Sequence, residues 1–154
     1  MSFQTAVMQV LAAAIATYSA GILFGSGKKQ LSLAALLGGA GWAVYLLVIH
    51  WGFSSFSATF VASIFISAVS LTLSRICKTP VTAFQIIAIF AIVPGAGMYH
   101  ILYSVVISDY PAAINYFFST MQTAAAIALG ILIVNAFNPI VPLERLMRRG
   151  TFHK

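Results

Sequence analysis

The chain has 154 residues, of which 61% are hydrophobic and only 6% are charged. This composition excludes a water-soluble core and leaves no room for a soluble domain beside the apolar segments. The formal charge is +6, but the basic residues fall in three short groups between apolar runs, as topogenic signals do. We therefore expect a lipid bilayer, and no nucleic acid, as the partner of this surface.

Five apolar segments follow one another, each near or above the ~20 residues that a spanning helix needs. They cover residues 3–24, 31–51, 56–76, 81–107 and 112–137. We predict an all-α, polytopic membrane protein with five transmembrane helices, in which residues 1–143 form a single domain and residues 144–154 a short basic cytoplasmic tail. Placing all eight basic residues in the cytoplasm puts the N-terminus outside and the C-terminus inside.

The third segment carries a stripe of hydroxyl side chains. Thr59, Ser63, Ser67, Ser70 and Ser74 recur at intervals of three or four residues, so a helix places them on one face. The pattern favours a buried contact face whose hydroxyls bond to backbone carbonyls or across to another helix. A polar wall along a permeation pathway is the alternative.

The fourth segment is interrupted near its centre by Pro94-Gly95-Ala96-Gly97. Proline has no backbone N–H and clashes with the carbonyl one turn back, and the glycines loosen the chain beside it, so the helix is predicted to break here. Unpaired peptide groups are costly in lipid unless they face protein or a polar cavity. The break is therefore interpreted either as a tolerated kink or as part of a substrate site.

The break also suggests a class of ligand. The half that ends near Val93 offers free carbonyls, and the half that starts near Met98 offers free N–H groups, so a small amino acid or another carboxylate would suit the pair. Tyr99 and Tyr103, one turn apart, could add hydroxyls, although aromatic packing explains them equally well. The candidate substrate-binding residues are Pro94, Gly95, Ala96, Gly97, Tyr99 and Tyr103.

His100 follows the break by one turn and is the candidate for carrying a coupling proton, because imidazole titrates near neutral pH. A packed neutral imidazole is the alternative. His100→Gln is expected to flatten the pH dependence of export, and an unchanged profile would remove the residue from the mechanism.

The sequence contains few residues that could act in catalysis. The only acidic residues are Asp109, at the end of the fourth segment, and Glu144, beside Arg145 in the tail. The sequence has no paired carboxylate, no His and Cys spacing for a metal, and no nucleophile or phosphate-binding motif. We expect no enzyme, no cofactor and no metal site. A channel-like or structural membrane subunit remains the alternative to a transporter.

Several features together resemble the threonine/serine exporter family. They are the order of five short spans, the basic-proline connection at 78–80, the segment FQIIAIFAIVPGAGMYH at 84–100 and the basic tail. The most specific part is the PGAGMY block over residues 94–99. The chain is similar to the small-subunit, or C-terminal-half, type, whose relatives include the small subunit of a bacterial succinate exporter.

The resemblance implies a multi-pass exporter of small amino acids or dicarboxylates in the bacterial inner membrane, working with a larger partner subunit that carries the other half. A homo-oligomer is the alternative if no such subunit exists. The predicted topology agrees, since a five-span half that starts outside complements one that starts inside. Such inverted repeats commonly place the substrate site at their interface.

Overall fold

The computed structural model describes residues 3–137, and all regular elements in that range are helical. They are α1 (Phe3–Leu23), α2 (Lys28–His50), α3 (Ser55–Cys77), α4 (Thr82–Ile89), a 3₁₀ turn (Phe90–Ile92), α5 (Gly95–Val106) and α6 (Tyr110–Ala136). Four helices are long and apolar enough to cross a membrane, and α4 with α5, bent by 51°, supplies a fifth crossing if the pair is one span. The prediction of an all-helical, multi-pass fold is confirmed. The tail over 144–154 lies outside the described residues.

The helix ends follow from local chemistry. Ser54 caps α3 by accepting a hydrogen bond from the Ser57 N–H at 3.3 Å, and Asp109 caps α6 by accepting one from the Ala112 N–H at 3.1 Å. Helix α3 ends at Cys77 and is capped by Lys78, whose left-handed backbone (φ 52°) lets its N–H bond to the Ser74 carbonyl. These short, capped connections keep consecutive helices side by side.

Small residues let α1, α2 and α3 approach closely. A Cβ at Gly38 of α2 would collide with the Thr17 side chain of α1, and one at Gly41 would lie 2.6 Å from Ile66 Cγ1 of α3. Dispersion and close packing hold membrane helices together, because lipid gives no hydrophobic driving force between them. The central packed cluster comprises Leu37, Ala62, Ile66, Ala88, Ile92 and Ile127.

The hydroxyl stripe of α3 is buried, as the packing interpretation predicts. Thr59, Ser63, Ser67, Ser70 and Ser74 are all at most 6% exposed. Ser63 donates to the Phe60 carbonyl at 2.8 Å, and Ser67 accepts a 3.0 Å hydrogen bond from the Gln85 side chain of α4. Ser63 and Ser67 are therefore hydrogen-bonded inside the packed bundle, whereas the buried Ser70 hydroxyl has no hydrogen-bond partner among the described residues.

The two halves of the fourth span belong to different parts of the molecule. Helix α4 and the 3₁₀ turn pack among α1, α2 and α3, whereas within residues 3–137 the only helix that α5 packs against is α6. We call α5 and α6 together the α5–α6 hairpin. The bend at the break carries this hairpin away from the α1–α4 bundle, and α6 stays joined to the bundle along α3.

The orientation in the membrane remains a prediction, and cysteine labelling can test it. In a Cys77→Ala background, a membrane-impermeant maleimide added outside should label Phe53→Cys and Ile107→Cys, because both positions are exposed and lie in loops predicted to be external. Neither change removes a helix cap. Lys29→Cys should label only after the membrane is permeabilised. Labelling of Lys29→Cys from the outside would contradict the predicted topology.

Candidate functional site

The predicted break in the fourth span is present, and it is short. The 3₁₀ turn ends at Ile92, Val93 is extended (φ −62°, ψ 133°), and Pro94 precedes the first turn of α5. Gly95, Ala96 and Gly97 are already helical, so the second half of the predicted fourth span starts three residues earlier than Met98. Glycine costs only about 1 kcal/mol in a helix, and proline is compatible with a helix start.

The break leaves the Ala91 carbonyl without its helical donors. Pro94 has no N–H to give to the Ala91 carbonyl in a 3₁₀ bond. The Gly95 N–H, which an α-helix would direct to the same carbonyl, bonds instead to the Val93 oxygen at 2.8 Å. Ala91 therefore presents an acceptor at the end of the first half of the predicted span, as expected for a broken membrane helix.

The candidate substrate-binding residues separate into two groups. Gly97 lies against α6, where a Cβ would collide with the Thr120 hydroxyl and lie 3.3 Å from its Cβ, while the corresponding position at Gly95 is open. Tyr99 and Tyr103 stack on each other, with centroids 6.0 Å apart, and are 62% and 52% exposed. The tyrosines thus line the outer surface of the α5–α6 hairpin, and Gly97 forms its internal contact.

His100 belongs to the contact between α5 and α6. Its ring stacks on Tyr116 with centroids 4.9 Å apart and planes at 19°, and it meets the Tyr99 ring edge-on at 5.5 Å. The residue is nevertheless exposed. Its role in proton coupling remains a prediction.

A pocket of about 300 Å³ lies on the bundle side of the break. Helix α1 contributes one glutamine and a wall of alanines, α2 contributes a tryptophan, and the 3₁₀ turn contributes the residue with the released carbonyl. The lining residues are Gln9, Ala12, Ala13, Ala16, Trp42 and Ala91. Alanine side chains leave room because each extends only one carbon from the backbone.

Trp42 lines this pocket and carries an indole N–H that is covered by protein. Its indole Nε1 is buried and has no hydrogen-bond partner within the described part of the chain. The ring stacks on Tyr45, with centroids 4.9 Å apart and planes at 26°. An unsatisfied buried donor costs about 1–3 kcal/mol.

Sequence reasoning did not identify the pocket. It gave Trp42 no role in a site, although the residue lies well inside the apolar segment, eight positions before the end of α2 at His50. It gave no role to Gln9 or to Gln85. A glutamine inside a long apolar segment is the signal that could have found both, because a polar amide in lipid needs a partner.

Comparison with known proteins places the chain in a family. No solved structure gives a significant match. The family model described as "Threonine/Serine exporter, ThrE" matches residues 9–137 of the 154, well over half of the chain. The match includes the whole break and both sides of the pocket, and the family implies a transporter rather than an enzyme. The chain therefore belongs to the threonine/serine exporter family and is a multi-pass membrane protein with a role in transport.

Proposed function

We propose that this protein is one half of a secondary exporter of small carboxylate-bearing metabolites in the bacterial inner membrane, and that it works with a larger partner subunit. Threonine- and serine-type amino acids are the first candidate substrates, as the family name indicates, and dicarboxylates such as succinate are the second. The α5–α6 hairpin carries the argument for a partner.

The hairpin exposes polar groups where a lone chain would meet lipid. Asn115, Ser119 and Gln122 are all exposed, and their spacing of four and three residues puts them on one face of α6. Gln122 is one residue from the midpoint of this 27-residue helix. Polar side chains at that depth are unfavourable in hydrocarbon and normally face protein or a water-filled cavity. A second membrane subunit covering this face would satisfy them.

The same arrangement gives the break a role in transport. The bundle holds the inner half of the fourth span, while the outer half moves with α6, to which alone it is packed within residues 3–137. Rocking of the hairpin against the bundle would pivot at Val93 and Pro94, where no continuous helical ladder has to break. Such motion of one unit against another is how alternating access usually works. His100, at the outer half, would sense the proton on the outer side.

Co-expression tests the proposal. In a bacterial strain that lacks its own exporters, the chain together with the larger family subunit from the same genome should lower intracellular threonine, serine or succinate. Either chain alone should leave these levels unchanged, because each would present an incomplete interface. The matched control is the pair carrying Met98→Leu, an exposed position on α5, which should export normally.

Three outcomes would contradict the proposal. Efflux from liposomes that contain only the purified 154-residue chain, at the rate of the pair, would favour a self-sufficient homo-oligomer. A pair that is correctly inserted and associated but leaves all three metabolites unchanged would exclude them as substrates. Ligand-independent ion conductance of the purified chain would support the channel alternative.

A further inference from the structure

We propose that one side of α6 is a wall of the water-filled path along which the exported molecule crosses the half of the membrane that holds the α5–α6 hairpin. We call this side the α6 wall, and it consists of Asn115, Tyr116, Ser119, Gln122 and Thr123. The inference rests on the proposed function and deepens it by giving the substrate a route between the break and the end of the hairpin. None of the five residues belongs to the PGAGMY block that marks the family resemblance.

Polar and apolar side chains are separated around this part of α6. At ~100° per residue the five residues of the α6 wall lie within an arc of about 120°, and no other residue between 115 and 123 falls in that arc. The opposite side of the helix carries only apolar residues. They are Ile114, Phe117, Phe118, Met121, Ala124 and Ala125. In a membrane the apolar side suits lipid, whereas the polar side needs protein or water.

The α6 wall continues the side of α6 on which α3 packs. Ser63 of α3 donates to the Ala126 carbonyl at 3.4 Å and would collide with a Cβ at Gly130. Both of these α6 residues fall in the same arc as the wall, further along the helix. Toward the start of α6 this side is no longer covered, since four of the five wall residues are exposed and Thr123 is half-buried. The wall therefore borders space that this chain leaves open.

The side chains of the α6 wall differ from those at the helix contacts of this chain. Close contacts are made at small residues: a Cβ added at Gly38, Gly41, Gly97 or Gly130 would collide with a neighbouring helix. The wall instead carries two amides and a tyrosine ring, which keep another helix at a distance. We therefore assign water and substrate to the adjoining space. The proposed partner subunit would close the path by facing the wall across this gap.

The position of the α6 wall links the break to the end of the hairpin. A Cβ at Gly97 would collide with Thr120, so the first turn after the break lies at the level of the wall's end at Gln122. The other end of the wall, Asn115, is five residues after the start of α6 at Tyr110. A molecule released at the break would meet this polar surface along its way to the end of the hairpin.

The chemistry of the α6 wall suits passage rather than tight binding. Residues 95–137 contain no lysine or arginine, so a carboxylate would meet only neutral donors such as the Asn115 and Gln122 amides and the Ser119 hydroxyl. Contacts that are favourable but weak allow a molecule both to enter and to leave. His100 stacks on Tyr116 with ring centroids 4.9 Å apart, which places the candidate for proton coupling at the edge of the wall.

Cysteine reactivity tests whether the α6 wall is wet. In the co-expressed pair with a Cys77→Ala background, Ser119→Cys and Gln122→Cys probe the wall, and Met121→Cys and Ala125→Cys are matched controls on the apolar side. Permeabilised membranes are treated with a small, water-soluble methanethiosulfonate, and the mass of the 154-residue chain reports the reaction. The wall positions should react at least about tenfold faster than the controls, because the reactive thiolate forms in water and not in lipid.

Equal rates at the wall and control positions would overturn the proposal, because the wall would then lie in lipid or in a dry contact with the partner. Asn115→Cys is a further wall position, for use if another variant fails to insert. It is exposed and should react as fast as Ser119→Cys.

Tryptophan substitution tests whether the exported molecule uses the α6 wall. Ser119→Trp should lower export by the pair at least about tenfold, because the ring fills the path. Ala125→Trp, at an exposed position on the apolar side of the same helix, should export normally. Both variants must still co-purify with the larger subunit, which separates a blocked path from a lost partner. Equal export by the two variants would leave the exporter standing and show the path to be wrong. If the wild-type pair exports none of the three metabolites, the proposed function fails, and fast reaction confined to the wall cysteines still supports a water-filled path.

Discussion

Gly97→Leu should reduce export by about 100-fold, the loss that a displacement of about 1 Å can cause at a positioned site. The reason is geometric. Any Cβ at this position collides with the Thr120 hydroxyl of α6 and comes within 3.4 Å of its methyl group. The larger side chain must push α5 from α6 at the first turn after the break. Export by the co-expressed pair, normalised to the amount of protein in the membrane, is the measurement.

A compensating change separates this steric effect from a general loss of glycine flexibility. Gly97→Ala should lower export less than leucine does, and Thr120→Ala in the same chain should recover much of the loss because it removes the hydroxyl and methyl groups that the new Cβ meets.

Gly95→Ala tests a different possibility, since a Cβ at this position has open space around it. Normal export by Gly95→Ala together with failure of Gly97→Ala would assign the motif to helix contact; failure of both would favour substrate contact at the backbone.

The sequence predicted the helices well because apolar length and basic-residue placement carry most of that information. The break was predictable for the same kind of reason, since proline removes a donor wherever it stands. The length of the break was not predictable. Glycine is compatible with both a loop and the first turn of a helix, and only tertiary packing decides which of the two forms. Here the contact of Gly97 with Thr120 accompanies the helical start at Gly95.

The candidate site was harder to predict, because it depends on which face of each helix meets which neighbour. Tyr99 and Tyr103 fit a lining pattern by spacing, yet both are exposed on the hairpin. Tryptophan is a residue type that often anchors a helix at the membrane interface. Trp42 nevertheless borders a pocket together with α1 and the 3₁₀ turn. Periodicity defines the faces of a helix but does not identify the helix that will cover them. The contacts between distant segments supplied that information.

The pocket and the polar face proposed to bind a partner lie on opposite sides of the break. The pocket belongs to the α1–α4 bundle, while Asn115, Ser119 and Gln122 belong to the hairpin. A partner that binds the hairpin would therefore act on the pocket through the angle at Val93 and Pro94.

The contact between α3 and α6 must be kept during such motion. Within this contact, Gly130 is the position at which a larger side chain has the least room. A Cβ at this position would collide with the Ser63 hydroxyl, lie 2.9 Å from Ser63 Cβ and lie 3.2 Å from the Ile64 backbone nitrogen. Because backbone atoms cannot move aside cheaply, Gly130→Ala should overpack the interface at a cost of about 2 kcal/mol. For a chain of this size that cost corresponds to a fall in Tm of about 4–8 °C.

Thermal unfolding of the purified protein in detergent, followed by circular dichroism, measures this effect. Ala128→Val is the matched control, because it enlarges an exposed position of the same helix and should change Tm little. Ser63→Ala should relieve part of the clash, so the double variant should be more stable than the sum of the single effects predicts. An unchanged Tm for Gly130→Ala would mean that α6 does not pack on α3 at this point, and that the hairpin is joined to the bundle in some other way.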